Sequence, residues 1–293
     1  MTELGVKAVV ISYNRPVALK KTIQAICAEG IPPSDILVID NNSEPQTRNL
    51  LTSEFSSVQS VFLSQNIASA GGFAKGMQLA FDSGAEWVWL FNDDSRPVPG
   101  ALNSVFPYLQ HVAASKTGMI KIGQSTKPGM AVALYWNGAR LPKLVPVSNS
   151  LRPTDLVTFD GCFVSRKLYE AIGTCDPQYF MGTYEFDYCL RAKDAGFEIF
   201  TLPNGLLEDE KLGSEKGTPP WRQYYNTRNH LWLGIHRRSF QIIKAWLIRE
   251  SKYTVALLLK GDQKGQRLLY KYRAIRDALL NRRGKRYHPD MNR

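Results

Sequence analysis

Residues Trp89 to Pro97 read WLFNDDSRP, a hydrophobic run that stops at an amide and two adjacent carboxylates, Asp93 and Asp94. The run begins upstream at Ala85 (AEWVWLFN) and is almost continuously apolar, as suits a strand covered on both faces. Two carboxylates side by side at the end of such a strand repel one another and raise each other's pKa unless a cation or strong donors hold them. Two readings compete: a strand-end turn in which an aspartate caps the next helix, or a rigid mount for a divalent cation that leaves coordination sites free for phosphate oxygens.

The same strand-then-polar pattern recurs before it. VKAVVISYN (Val6 to Asn14) and DILVIDNNS (Asp35 to Ser43) are short, β-branched runs ending in polar residues, and SVQSVFLSQN supplies a third strand. Between them lie a helix with Leu19, Ile23 and Ile26 at helical spacing, a shorter helix, and a glycine-rich approach to another, AGGFAKGMQLAFDSG. Alternating strands and helices imply parallel βαβ units: an α/β fold with an open, doubly wound, mostly parallel sheet and flanking helices. Ligands bind such sheets beyond the carboxyl ends of the strands. The clusters YNR, DNNS, QN and NDDS all fall there; any one of them can be a plain turn, but four in succession on one edge point to a ligand site.

Residues 104 to 156 are less regular and read as a helix with connecting strands. LVTFDGCFVSRKLYEAIG then gives a strand, a turn at Asp160-Gly161 and a helix, and FMGTYEFDYCLRAKDAGFEIFTLP a helix and a strand. Beyond TPPWRQYYNTRNHLWLGIHRR the tail is expected to be mainly helical. The expected organisation is a catalytic domain over residues 1–236, with a nucleotide-binding half at about 1–103 and an acceptor half at about 104–236, followed by a basic helical extension at 237–293.

Composition narrows the class. With 44% hydrophobic and 22% charged residues the chain is of globular type. No apolar run reaches the roughly 18–20 residues of a bilayer crossing, and the N-terminus lacks the pattern of a signal peptide; the expected compartment is the cytosol. The four cysteines have no CxxC spacing, so reduced thiols are expected and a zinc knuckle is not. From Arg237 to Arg293 there are 16 Lys plus Arg against four acids, a net of +12, which with the chain's total of +11 leaves −1 for everything before, so the basic character belongs to the tail. Anionic lipid and nucleic acid are the partners such a block suggests. Tyr270, Tyr272 and Tyr287 would serve base stacking; Trp246, Leu247, Ile248, Tyr253 and Leu257 to Leu259 would serve partial insertion among headgroups. An ordinary amphipathic helix with a solvated basic face is the simpler alternative. RRGKRYHP, near the end, is expected to be flexible.

Two further motifs carry chemistry. NIASAGGFAKG places Gly71, Gly72 and Gly76 where the chain enters a helix, which suits either phosphate approach at a helix N-terminus or close helix packing. It is not the GxGxxG fingerprint of a dinucleotide site. TYEFDYCLRAKDAG puts Asp187 four residues before Arg191, where they can pair, and leaves Glu185 without a local partner, as a general base requires.

Taken together and in order, ISYNRP, VIDNNS, QNIASAGGFAKG, WVWLFNDDSRP and YEFDYCLRAKDAGF resemble the inverting nucleotide-sugar glycosyltransferases of family two, with the GT-A fold. The glycine block and NDDSRP are similar especially to bacterial galactofuranosyltransferases and rhamnosyltransferases that extend lipid-linked glycans in polysaccharide biosynthesis. The resemblance spans roughly residues 6 to 230. It implies that Asp94 ligates Mn²⁺ or Mg²⁺ on the donor diphosphate, with Asp93 second, and that Asn92 and Asp93 lie near the ribose and phosphates. Tyr13, Asn14 and Arg15 would line the nucleotide pocket, Asp40 would contact the base, and Asn66, Gly71, Gly72 and Lys75 would meet the nucleotide sugar, UDP- or dTDP-linked. Glu185 inherits the role of catalytic base. The implied acceptor is a glycan at the inner face of the cytoplasmic membrane, with no nucleic acid as partner.

The chain departs from the family twice. Asn92 stands where the first of three aspartates is usual, removing a negative charge, and no histidine occurs in LLEDEKLGSEKG, where many relatives have a metal ligand. Asp209 or Glu210 is the nearest substitute. These departures also leave open a degenerate member that binds nucleotide sugar without catalysis.

Overall fold

The structure is a computed structural model describing residues 4–110, 116–210 and 219–287. Its first half is β1 (Val6–Ser12), α1 (Pro16–Ala28), β2 (Ile36–Asp40), α2 (Pro45–Ser53), β3 (Gln59–Phe62), α3 (Ala68–Asp82) and β4 (Trp87–Asn92). The four strands are parallel in the order β3-β2-β1-β4. Register places Ser12 opposite Asp40 and Ile11 opposite Asn92, so three of the polar clusters share one sheet edge.

The second half contains β5 (Ser95–Pro97), α4 (Ala101–Gln110), β6 (Thr117–Lys127), β7 (Met130–Trp136), β8 (Arg140–Pro146), β9 (Arg152–Pro153), β10 (Cys162–Ser165), α5 (Arg166–Ile172), α6 (Tyr184–Asp194), β11 (Glu198–Asp209), α7 (Pro220–His236), α8 (Phe240–Lys260) and α9 (Lys264–Leu279). The sheet continues β4-β10-β6-β11-β5, with β10 antiparallel to both neighbours and β11 parallel to β6. The α/β sheet with flanking helices is therefore as expected, parallel in its first half and mixed in its second. The mixture arises because β10 returns beside β4 from the irregular region, and an antiparallel neighbour needs no crossover helix.

Both sheet faces are dry. Val9, Ile11, Leu37, Ile39, Val88 and Leu90 pack under Phe73, Met77 and Phe81 of α3. Val10, Val38, Trp89 and Phe91, pointing the other way as a period of two requires, pack against Leu19, Ile23 and Ile26 of α1. Trp89 also stacks on Phe163 of β10, centroids 4.7 Å apart, so the central strand is sealed on both sides.

The glycine block explains how closely α3 sits. A Cβ at Gly76 would lie 2.4 Å from Val9 Cγ1, and one at Gly72 would lie 2.8 Å from Ile11 Cγ2. Two of the three glycines thus serve helix-on-sheet packing. Cys162, Cys175 and Cys189 are buried free thiols and Cys27 is half-buried and free.

The basic tail is part of the body. Both α8 and α9 lie against α7, and Trp246 and Ala278 belong to the same core as Phe73 and Tyr184. Several tail cations serve buried acids: Glu250 is held by Arg249 (2.8 Å) and Lys271 (3.1 Å), and fully buried Asp277 by Arg276 (2.8 Å) and the Tyr224 hydroxyl (2.8 Å). Three expectations change. Residues 282–287 are packed rather than loose: the Gly284 N–H donates to Gln178 O (2.7 Å) and Arg228 donates to Gly284 O (2.8 Å), while His288 and Pro289 lie outside the described residues. Tyr270 and Tyr287 pack edge to face at 5.3 Å instead of standing free for base stacking, whereas Tyr272 stays exposed. Trp246 and Leu257 point inward, leaving Phe240, Leu247, Ile248, Tyr253, Val255, Leu258 and Leu259 as the exposed apolar side chains of α8. No helix among the described residues is long and apolar enough to cross a membrane.

The α3 contact makes a direct stability prediction. Alanine at Gly76 gains about 1 kcal/mol of helix propensity but drives a methyl into Val9, an overpacking that costs about 1–3 kcal/mol. Urea unfolding of Gly76→Ala should show a lower midpoint than the native chain.

Candidate active site

Beyond the carboxyl ends of β1 and β4 lies a cleft of about 930 Å³, roofed by the first turns of α6 and α7. Tyr13, Arg15, Asn66, Asn92, Asp93, Asp94, Glu185, Asp209 and Glu210 all line it, brought together from positions up to 197 residues apart. Backbone strain gathers around it: Asn14, Ala68, Phe180 and Thr183 have φ of 56°, 55°, 67° and 69°. For β-branched Thr183, immediately before α6, a positive φ is costly, and such strain collects at sites where the surroundings impose it.

The two aspartates that end β4 differ in role. Asp93 is nearly buried and accepts from the Tyr13 N–H (2.9 Å), the Ser12 hydroxyl (3.2 Å) and Arg15 (3.3 Å), tying the end of β1 to β4. Burial still pushes its carboxyl up to about 6, against the pull of those donors and Arg15. Asp94 is the more exposed of the pair and forms an ion pair with Arg15; burial first, and then Asp160, raise its pKa. Asp94 is therefore the carboxylate of the pair that is freer to face a ligand.

Asn92 is occupied in a way its family position did not suggest. Its side-chain amide donates to both carboxylate oxygens of Asp160 (2.7 and 2.9 Å) and its backbone N–H to one of them (2.8 Å), while Ser95 adds a fourth hydrogen bond (2.8 Å). Behind Asp160, the ammonium of Lys121 donates to its carbonyl oxygen. Lys121 is buried, which lowers its pKa, while Asp160, Glu185 and Asp209 favour its charge. Asp160 was not singled out as a site residue, because Asp-Gly reads as a turn. Its partner lies 68 residues away, and only the pairing of β10 with β4 brings them together.

Glu185 stands in the first turn of α6, where a helix N-terminus favours negative charge. Its carboxylate accepts from the Phe159 N–H (2.7 Å), and burial, with a further contribution from Asp160, pushes its pKa up to about 7. Asp187 pairs with Arg191 at 3.0 Å.

The remaining candidates separate into those in the cleft and those beside it. Asp209 ends β11, and burial, Asp160 and Asp94 raise its pKa. Glu210 is held by Arg96 (2.6 Å) and Lys21 (2.8 Å), which lower its pKa, so Asp209 is the freer of the two. Asn66 is buried, and its side-chain oxygen accepts from the Ala68 N–H (2.8 Å). Asn14 pins the β1 loop to the β2 loop, accepting from the Glu44 N–H (2.7 Å). Asp40 does not line the cleft: it is fully buried, accepts from the Ser43 N–H (3.1 Å) and has Arg48 at 3.3 Å. Gly72 is spent on Ile11, and Gly71 and Lys75 line a separate cavity that meets the cleft at Asn66. Sequence reasoning passed over Trp221 and Arg222, at the start of α7, which close the cleft; the Pro-Pro before them was the signal of a helix start.

Among the described residues no three His, Cys, Asp or Glu side chains are close enough to hold a metal by themselves. The freer carboxylates, Asp94 and Asp209, offer hard oxygen, which suits Mg²⁺ or Mn²⁺ when a ligand's own phosphate oxygens complete the shell. With Arg15 and Arg222 alongside, the cleft can neutralise a diphosphate and set a proton acceptor near it.

Residues 5–230 match the family described as Glycosyltransferase like family 2. A galactofuranosyltransferase, GlfT1 of Mycolicibacterium smegmatis, is 39% identical over 235 residues, 76% of this chain and 75% of that protein. The dTDP-rhamnosyl transferase RfbF of Shigella flexneri is 21% identical over 235 residues, 77% of this chain and 78% of its own. Among solved structures, S. aureus TarS 1-349 in complex with UDP-GlcNAc superposes with a TM-score of 0.60 at 14% identity, covering 94% of this chain and 80% of that one. The mannosyltransferase PcManGT from Pyrobaculum calidifontis, in complex with GDP-Man and Mn²⁺, gives 0.55 at 14% identity, covering 94% and 87%. These two likenesses establish the fold.

The Asn92–Asp160 contact predicts that restoring the usual aspartate will do harm. Asn92→Asp sets two carboxylates at hydrogen-bonding distance and exchanges two donors for repulsion. The melting temperature at pH 8 should fall, and recover toward pH 5 as one of the pair takes up a proton.

Proposed function

The chain belongs to the family 2 glycosyltransferases and depends on a nucleotide sugar, and on that premise we propose that it transfers galactofuranose or rhamnose, with inversion, to a hydroxyl of a growing lipid-linked glycan. The observation that carries the reading is Glu185. Asp93, Asp160 and Glu210 are each held by several donors or cations, whereas among the described residues Glu185 has one backbone donor, and its pKa is raised to about 7. A base in that range is ionised when needed and basic enough to take a proton from an attacking hydroxyl.

The acceptor hydroxyl gives its proton to Glu185 while attacking the anomeric carbon from the face opposite the diphosphate. With Glu185 as base and no carboxylate assigned as nucleophile, the acceptor oxygen displaces the diphosphate directly, and a single displacement inverts the anomeric centre. Arg15 and Arg222 stabilise the departing diphosphate, an interaction that strengthens as charge develops on it. Asp94 and Asp209 are the residues that would hold a divalent cation, which would add Lewis-acid neutralisation of that charge. Tyr13 and Asn66 line the donor side, and UDP or dTDP is the expected nucleotide. The Mn²⁺ and nucleotide-sugar complexes of the structural neighbours are consistent with this assignment.

The exposed face of α8 alternates Phe240, Leu247, Ile248, Val255 and Leu259 with Lys244, Lys252 and Lys260. That mixture suits an anionic membrane surface, where headgroup attraction adds to shallow insertion. It would place the enzyme at the cytoplasmic side of the membrane, beside a lipid-linked acceptor. Flotation with phosphatidylglycerol vesicles should recover the protein at low salt and lose it at high salt, whereas phosphatidylcholine vesicles should not recover it. Equal recovery with both would remove the lipid-headgroup assignment.

Because the base must be ionised, kcat/KM should rise as pH rises through about 7 and then level off. Glu185→Gln should lower kcat by about 10²–10⁴-fold with UDP affinity kept, and EDTA should abolish transfer until Mn²⁺ or Mg²⁺ is returned. A Glu185→Gln enzyme of full rate would remove the base assignment.

A further inference from the structure

The cavity beside the cleft, about 420 Å³, is not used by this chemistry. It lies between one face of α3, carrying Gly71, Ala74, Lys75 and Gln78 at helical spacing, and the segment around Pro177 and Phe180, with Lys285 of the C-terminal segment at its rim. Two ammonium groups thus face one space. Lys75 is half-buried and makes no hydrogen bond or ion pair with any described residue. Among the described residues Lys285 reaches only the Asn66 carbonyl, at 3.4 Å. Among the described residues no carboxylate lines the cavity, and the nearest described acid in sequence, Asp176, is occupied by Arg283 and the Gln178 N–H. Two cations that line one cavity with no described counter-ion disfavour each other's charge, and an anion between them relieves that repulsion in a partly desolvated place. Gln65 and Gln78 add amide donors, and Ile67, Ala74, Pro177 and Phe180 add an apolar wall.

We propose that this cavity is a second ligand site, separate from the donor cleft, that takes a phosphate group carried on a small apolar or sugar-like body. The volume suits such a molecule. Because Asn66 lines both spaces, its occupant lies next to the donor. The phosphate has two possible sources, the acceptor itself or a free phosphorylated metabolite; only the choice between them rests on the transferase reading above.

Titration calorimetry on the full chain at fixed ionic strength tests the site with n-hexyl phosphate, inorganic phosphate and hexanol. Hexyl phosphate should bind tightest, inorganic phosphate more weakly, and hexanol not measurably. Lys75→Gln and Lys285→Gln should each lower the affinity for hexyl phosphate relative to that for UDP by tenfold or more, and Lys75→Arg should restore most of it. If neither glutamine variant moves hexyl phosphate binding, or if both ligands weaken equally, the separate site does not exist. A KM increase in Lys75→Gln confined to phosphorylated acceptors identifies the acceptor as the source; a response of transfer to added hexyl phosphate, alike for both acceptor types, identifies an effector. Calorimetry reads the site even with no transfer, so its failure and that of the transferase reading remain distinct.

Discussion

Two hydrogen bonds from the Asn92 amide to the Asp160 carboxylate join the parallel half of the sheet to the mixed half. Asn92 ends β4, and Asp160 stands just before β10, its antiparallel neighbour, so the clasp fixes where the second half begins relative to the first. Lys121 from β6 supports Asp160 from behind, and Ser95, the first residue of β5, closes the ring. Glu185 and Asp209 hang from elements that pack on this arrangement, and so their distance from Asp94 is set by it.

The charge problem of the cleft is solved by division of labour. Six acids share one concave surface, and burial raises the pKa of four of them, Asp93, Asp94, Glu185 and Asp209. Arg15 serves the first two, Lys121 lies beneath the centre, and Arg96 with Lys21 neutralises Glu210 at the edge. What is left insufficiently compensated is the set that an incoming cation, diphosphate or acceptor proton can use. The asparagine that looked like a missing metal ligand is better understood as a donor required by Asp160: an aspartate there would add charge where the structure needs a proton.

The tail shows how a charge count can mislead without a location for each charge. Its net of +12 suggested a surface, yet Arg249, Lys271 and Arg276 neutralise buried acids of the helical layer. The remaining lysines of α8 alternate with exposed apolar residues, and the final segment folds back to the second cavity through Lys285. One segment therefore does three things: it completes the core, presents a mixed basic and apolar face, and supplies a cation beside the donor cleft.

Local chemistry made much of this legible in the sequence. Buried strands are written in continuous β-branched runs, their ends in Asn, Asp and Ser, and the spacing of the glycines in how near a helix can approach its sheet; these are properties of neighbouring residues and of a period of two or 3.6. The clustering at one edge, the pairing of Asp187 with Arg191 and the lack of a neighbouring partner in the chain for Glu185 followed from them. Tertiary structure alone decided the rest. That Asn92 belongs to Asp160, that Asp40 turns away from the cleft, that Lys75 faces a different cavity and that Trp246 points inward all depend on strands and helices far apart in the chain. Direction, register and burial of such contacts are fixed by packing, and no short stretch of residues encodes them.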